Sequence, residues 1–129
     1  KYSFQYVKNL EIENSYIDTK DAFWHAENVV VRDSYIEGAY LAWYSKNVKF
    51  INCTIKSTQP LCYCKNLVLE NCKMIECDLS FEYSDVVATI NGDVDSIKNP
   101  LKGYIECGKN TKVILENSKY KFDGEIKFK

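Results

Sequence analysis

The chain has 129 residues, enough for one domain, and 46% of them are apolar, the ordinary share for a soluble globular chain. Its 17 basic and 18 acidic residues nearly cancel and are interspersed, so there is no basic stripe for a phosphate backbone, and no nucleic-acid partner is expected. No apolar run approaches the ~20 residues that cross a bilayer and no charged start leads into an apolar stretch, so no membrane partner and a cytoplasmic location are expected. The first residue is Lys1 rather than Met, which leaves room for upstream sequence carrying a targeting signal.

In chain order, Phe4, Gln5, Tyr6, Val7 and Lys8 match the tail of a repeat whose next block opens at Asn9. Asn28, Asn47 and Asn66 open further blocks at a spacing of nineteen residues, each reading Asn, aliphatic, any, apolar, any, Asn or Asp, Ser or Cys. Such a period marks a solenoid, because a block this short cannot enclose a core and must stack on its neighbours. Leu10, Val29, Val48, Leu67 and Val86 form one apolar column, and Ile12, Val31, Phe50, Leu69 and Ala88 the next. The residues between them are mixed, the period-two alternation of a strand with one buried face. Asn14, Asp33, Asn52 and Asn71 then mark a corner, where these residue types tolerate left-handed backbone and stack as amide ladders. Ile17, Ile36, Ile55 and Met74 make a third apolar column beyond it.

The pattern predicts an all-β fold, a single-stranded parallel β-helix of about five to six coils. A leucine-rich horseshoe is the competitor, but only one residue separates the second aliphatic from the Asn here, where that repeat has two, and no block holds a helix-length run of helix formers. Asp85 takes the Asn place of a fifth coil by count, and beyond Ile90 the register slips through Asn91, Gly92 and Asp93. Repetition resumes imperfectly from Asn110 to Ser118. The last stretch, Tyr120 to Phe128, reads as two short strands about an Asp123-Gly124 turn, hence a C-terminal β-hairpin cap. A single domain 1–129 is expected, with regular coils over 1–97 and an irregular last coil and cap over 98–129. The first rung, carrying Tyr6, Val7, Leu10 and Ile12, has nothing visible to cover it. Upstream coils or a second copy of the chain are expected there, since an open β-helix end presents unpaired strand groups.

Several runs are more specific than a generic solenoid pattern: KDAFWHAENVVV, YLAWYSKNVKFINCTI, LCYCKNLVLENC, SFEYSDV and DSIKNPLKG. They resemble the C-terminal half of the bacterial proteins grouped as domain of unknown function family 3737, over Tyr2 to about Gly103. The resemblance implies a right-handed parallel β-helix with further coils upstream, and it implies no activity.

Among the six cysteines, Cys53 and Cys72 lie one period apart in a column otherwise holding Ser15 and Ser34. Neighbouring rungs would permit a disulfide, but the Ser residues show that the position wants a small side chain, so free buried thiols in a reducing compartment are expected. Cys62 and Cys64 with Cys77 lack the paired spacing of structural zinc, so no metal and no cofactor are expected.

Stacking the last segment of each coil aligns Phe4, Phe23, Ala42, Leu61 and Ser80 in one column, and Gln5, Trp24, Trp43, Cys62 and Phe81 in the next. Burying Gln5 would cost more than burying Ser80, which turns the Phe23 column inward and the Trp24 and Trp43 column outward. Two stacked indoles outside, extended by Tyr44 and Tyr63 and by His25 in their column, are the ligand-binding candidates, a platform for sugar rings or a partner surface. The same stacking also serves solenoid stability. His25 shares its column by count with Tyr6, Tyr44, Tyr63 and Glu82, without a nucleophile beside it. Asp21 and Asp78 fall in one column but three rungs apart, about 14 Å, too far for a glycosidase pair, and no residue is assigned as catalytic. Two readings follow: a binding or assembly module using the aromatic face or the open first rung, and, as the alternative, a carbohydrate-active enzyme completed by upstream coils.

Overall fold

The computed structural model describes residues 4–129. The described residues form twelve strands: β1 (Lys8–Glu13), β2 (Tyr16–Asp18), β3 (Glu27–Arg32), β4 (Tyr35–Glu37), β5 (Lys46–Ile51), β6 (Thr54–Lys56), β7 (Lys65–Ile75), β8 (Asp85–Ile90), β9 (Ser96–Lys98), β10 (Lys102–Cys107), β11 (Lys112–Ile114) and β12 (Asp123–Phe128). Every pairing between them is parallel. One long face runs β1, β3, β5, β7, β8, β10, β12, and a shorter face runs β2, β4, β6 and the end of β7. The chain is a parallel β-solenoid of about six turns, with successive coils about nineteen residues apart.

The columns read from the repeat become registered pairs: Leu10 on Val29 on Val48 on Leu67, Ile12 on Val31 on Phe50 on Leu69, and Ile17 on Ile36 on Ile55 on Met74. Their inner members are buried and share one core with Phe23, Leu61 and Phe81. The outward residues of the long face meet across rungs instead, as in Lys49 with Glu70 at 3.1 Å. Exposed pairs of this kind contribute ~0–1 kcal/mol each, so the aliphatic columns dominate the energetics.

The corners are made by left-handed residues that are not glycine. In a regular coil five positions have positive φ, as at Asn28, Asp33, Tyr40, Ala42 and Tyr44, with φ between 52° and 61°. The opening asparagines form an amide ladder on one of these bends. Asn28 donates from its side chain to Asn9 at 3.1 Å, Asn47 to Asn28 at 3.0 Å and Asn66 to Asn47 at 2.7 Å. A second ladder runs along the other corner, where Asn71 donates to Asn52 at 2.7 Å and Asn91 donates to Asn71. Asn suits these sites twice over, tolerating the bend and offering both a donor and an acceptor to its neighbours.

Two register changes correct the columns expected from counting. Ile75 lies on Lys56, nineteen residues on, but Phe81 occupies the place above Leu61, twenty residues on. The amide of Leu61 donates to the Leu41 carbonyl and that of Phe81 to the Pro60 carbonyl, in each case the residue just before the stacked partner. One residue has therefore been inserted after Ile75, where Glu76 adopts φ of 52°. Leu79, not Asp78, extends the column of Asp21, Tyr40 and Gln59, and Tyr83, not Glu82, extends that of Tyr63. The insertion is compensated at once: the Asp85 amide donates to Cys64, so Asp85 lies on Lys65, and Val86 lies on Leu67. Asn66 has no counterpart in that coil, and the first amide ladder stops there. Asp85 does not take the Asn place.

The C-terminal hairpin is also overturned. β12 runs parallel to β10 with Asp123 on Lys102 and Gly124 on Gly103, so Asp-Gly opens a further rung instead of a reversal. The reason is close approach: a Cβ on Gly124 would lie 2.1 Å from the Gly103 carbonyl oxygen, so the glycine is needed for rung contact and not for a turn.

All six cysteines are free and buried. Burial raises the Cys62 and Cys77 thiols to about 12 and that of Cys72 to about 11, so the nucleophilic thiolate is suppressed at neutral pH. Cys53, Cys72 and Cys77 instead spend their S–H groups on carbonyls, those of Ile51, Phe50 and Ile55 among them, at 3.3 to 3.4 Å.

Candidate functional site

The segment between the short strand and the next long strand builds the aromatic face. In residues 21–25 the backbone alternates, with positive φ at Asp21, Phe23 and His25 and again at Tyr40, Ala42 and Tyr44 one coil on. This is not a pleated strand, yet it separates the side chains as sharply: Phe23, Ala42 and Leu61 are fully buried, whereas Trp24 and Trp43 are half-buried on the outside. The bends at Phe23 and Ala42 turn those side chains in and leave the following indole on the outside, whereas Cys62, the next member of the indole column, is fully buried.

Outside, the rings form a continuous stack. Tyr6 lies on His25 with centroids 5.3 Å apart and planes within 5°, His25 on Tyr44 at 5.2 Å and 12°, and Tyr44 on Tyr63 at 4.9 Å and 10°. Tyr83 continues the row at 6.1 Å with a tilt of 51°, and Tyr120 meets Tyr83 edge-on at 5.5 Å. Burial raises the Tyr63 hydroxyl above its ordinary value, with the Glu82 carboxylate adding to it. The amide of Lys119 donates to the Tyr83 hydroxyl oxygen at 3.1 Å and lowers that phenol.

The two indoles stand beside this stack at right angles to it. Trp24 meets Tyr44 edge-on at 6.4 Å, and Trp43 meets Tyr44 at 6.2 Å and Tyr63 at 5.2 Å. Trp43 is fixed further by donating from Nε1 to the Gln59 carbonyl at 2.6 Å and by an edge contact with Tyr40 at 5.4 Å. Trp24, Trp43, Tyr40 and Tyr44 wall a groove of about 520 Å³ whose polar corners are Gln5, Asp21 and Gln59. The groove thus joins aromatic surface to one carboxylate and two amides.

The candidates named from the sequence separate into two places. Trp24, Trp43 and Tyr44 line the groove, while His25 and Tyr63 lie in the stack behind it with Tyr6. Val7, Leu10 and Ile12 are half-buried against the core at the first rung. Counting singled out Asp21 only as half of a carboxylate pair too far apart for catalysis, and missed that its column, with Tyr40 and Gln59, lines the groove. Asp78 belongs elsewhere, accepting from the Thr58 hydroxyl at 2.6 Å. Among the described residues, no group of three or more His, Cys, Asp or Glu side chains is placed to hold a metal ion.

Neither a curated protein nor a solved structure matches the chain. One family model does, and it covers residues 1–127, passing through the tail beyond Gly103 where the sequence runs are least distinctive. The chain belongs to the family described as Protein of unknown function (DUF3737).

Proposed function

We propose that the protein is a binding module that takes a saccharide in the groove between Trp24 and Trp43. The observation that carries this reading is the pairing of two half-buried indoles with Asp21, Gln5 and Gln59 in one open groove. Sugar rings present apolar C–H faces and an equatorial rim of hydroxyls, and the groove offers an aromatic counterpart to the first and polar partners to the second. The rings are held by one another and by the Trp43 to Gln59 hydrogen bond, so little side-chain entropy is lost on binding. In a glycan array followed by titration calorimetry, the chain retains at least one oligosaccharide without cleaving it. Trp43→Ala weakens that affinity by about tenfold or more, the ~1.4 kcal/mol expected for an aromatic anchor, with the melting temperature recorded alongside. Retention of no glycan, or equal retention by the variant, removes the reading.

A second surface supports assembly with another copy of the chain. Among the described residues β1 pairs only with β3, its Leu10 and Ile12 and the preceding Val7 are half-buried, and β12 pairs only with β10 at the opposite end. Joining the two ends would continue the parallel sheet, a head-to-tail contact that propagates. Light scattering of the chain and of a Val7→Asp, Leu10→Asp variant tests it. A mass above the monomer that falls in the variant is expected, and a monomer in both removes the assembly.

A further inference from the structure

The side of the aromatic stack opposite the indoles carries a feature that folding does not explain. Lys46 and Lys65 open β5 and β7 and are register partners on adjacent rungs, ~4.8 Å apart along the stack. Like charges placed directly across a sheet destabilise it. The register pair Lys8 and Glu27 is of opposite charge and in contact at 3.6 Å, and in the like-charged register pair Asp18 and Glu37 the second carboxylate is met by Lys56 at 4.0 Å. Neither Lys46 nor Lys65 has an ion-pair partner among the described residues. Glu27, the rung neighbour of Lys46, is engaged by Lys8, and Asp85, the rung neighbour of Lys65, forms no ion pair with it. Both lysines are exposed and line a second groove, of about 380 Å³, with His25, Tyr44 and Tyr63 and with the Lys8 and Glu27 ion pair.

Tyr44 is a wall of both grooves. A ligand lying on the indoles therefore meets the lysine pair once it passes the Tyr44 edge. We propose that Lys46 and Lys65 receive the carboxylate of an acidic saccharide, a uronate-bearing chain whose ring lies between Trp24 and Trp43. The inference rests on the saccharide reading of that groove and specifies its ligand class. Two ammonium groups one rung apart match the two oxygens of one carboxylate and relieve their own repulsion when it binds. A single-stranded nucleic acid would also offer rings and anions. It is disfavoured because the column runs Glu27, Lys46, Lys65, Asp85, a single basic pair and not the basic stripe that tracks a phosphodiester backbone.

The test is titration calorimetry with a six-unit galacturonate oligomer, its methyl-esterified neutral counterpart and a ten-residue oligothymidylate, on the chain and on a Lys46→Gln, Lys65→Gln variant. Lys73→Gln, at an exposed lysine on the short face, is the control. The acidic oligomer binds about tenfold more tightly than the ester at low salt. The double variant loses that preference while keeping the affinity for the ester, and the control keeps both. Equal affinity for acid and ester, both abolished by Trp43→Ala, overturns this inference and leaves the saccharide reading standing. A preference that survives the double substitution overturns it as well, as does binding of the oligothymidylate alone. Binding of neither oligomer overturns this inference and the groove reading together.

Discussion

Phe50→Ala is expected to lower the unfolding free energy by about 3–5 kcal/mol, read as a drop in the urea midpoint. Phe50 is fully buried, the bulkiest member of the column Ile12, Val31, Phe50, Leu69 and Ala88. Its ring meets Phe23 edge-on at 6.3 Å, joining the long face to the corner segment across the core. Truncation leaves a void that neighbours cannot close, because the rungs on either side are held in register by the parallel ladders of β3 and β7. A cost below about 1 kcal/mol would mean that the coils slide or collapse into the space and that the ladders are softer than their registration implies.

Gly103→Ala is expected to be nearly as damaging, by about 2–4 kcal/mol. Gly103 has φ of 121°, and a Cβ there would lie 1.8 Å from the Val86 carbonyl oxygen of the rung before it. The clash is with backbone that belongs to the ladder itself, so relief requires the rungs to part. Gly92 provides the comparison, with φ of 98° but open space around its missing Cβ. Gly92→Ala should therefore cost only the backbone term, about 1 kcal/mol. Thermal melts of the two variants separate strain from contact, and equal losses would show that the approach to Val86 contributes nothing.

The core was legible in the sequence because burial imposes its own column. Val29 on Val48 and Ile36 on Ile55 are forced by stacking, and each aliphatic is visible as such. The fifth coil was misread for a specific reason. A residue added after Ile75 and a residue lost at the Asn66 place cancel, so the count of nineteen holds again from Leu67 to Val86 while the residues from Glu76 to Asp85 are out of step by one. The signal was present in the side chains: placing Phe81 on Leu61 and Tyr83 on Tyr63 keeps an apolar and an aromatic column whole, where the uninterrupted count put Ser80 and Glu82. Asp123-Gly124 misled because the hairpin rule reads a local turn, whereas this glycine answers to Gly103, twenty-one residues away. In the site, the indoles stood out by size. Their polar neighbours Asp21 and Gln59 did not, since nothing in the period distinguishes a groove from any other outer surface. The lysine pair was hidden among ordinary charged positions until the missing ion-pair contacts to Glu27 and Asp85 could be seen.

The left-handed bends carry a consequence for how this chain acquires its structure. Each regular coil holds five non-glycine residues at positive φ, a conformation costing ~1 kcal/mol at residues such as Ala42 and Tyr44 and less at asparagine. Against that cost an isolated coil can set very little, because the ladders, the amide rows and the ring stacks all join one coil to the next. The smallest nucleus is thus two adjacent coils formed together, after which each added coil finds a finished template and growth runs along the axis. Opening obeys the same order in reverse: a terminal coil loses one interface, an inner coil two, so the ends fray first and the coils around Phe50 exchange their amide protons last.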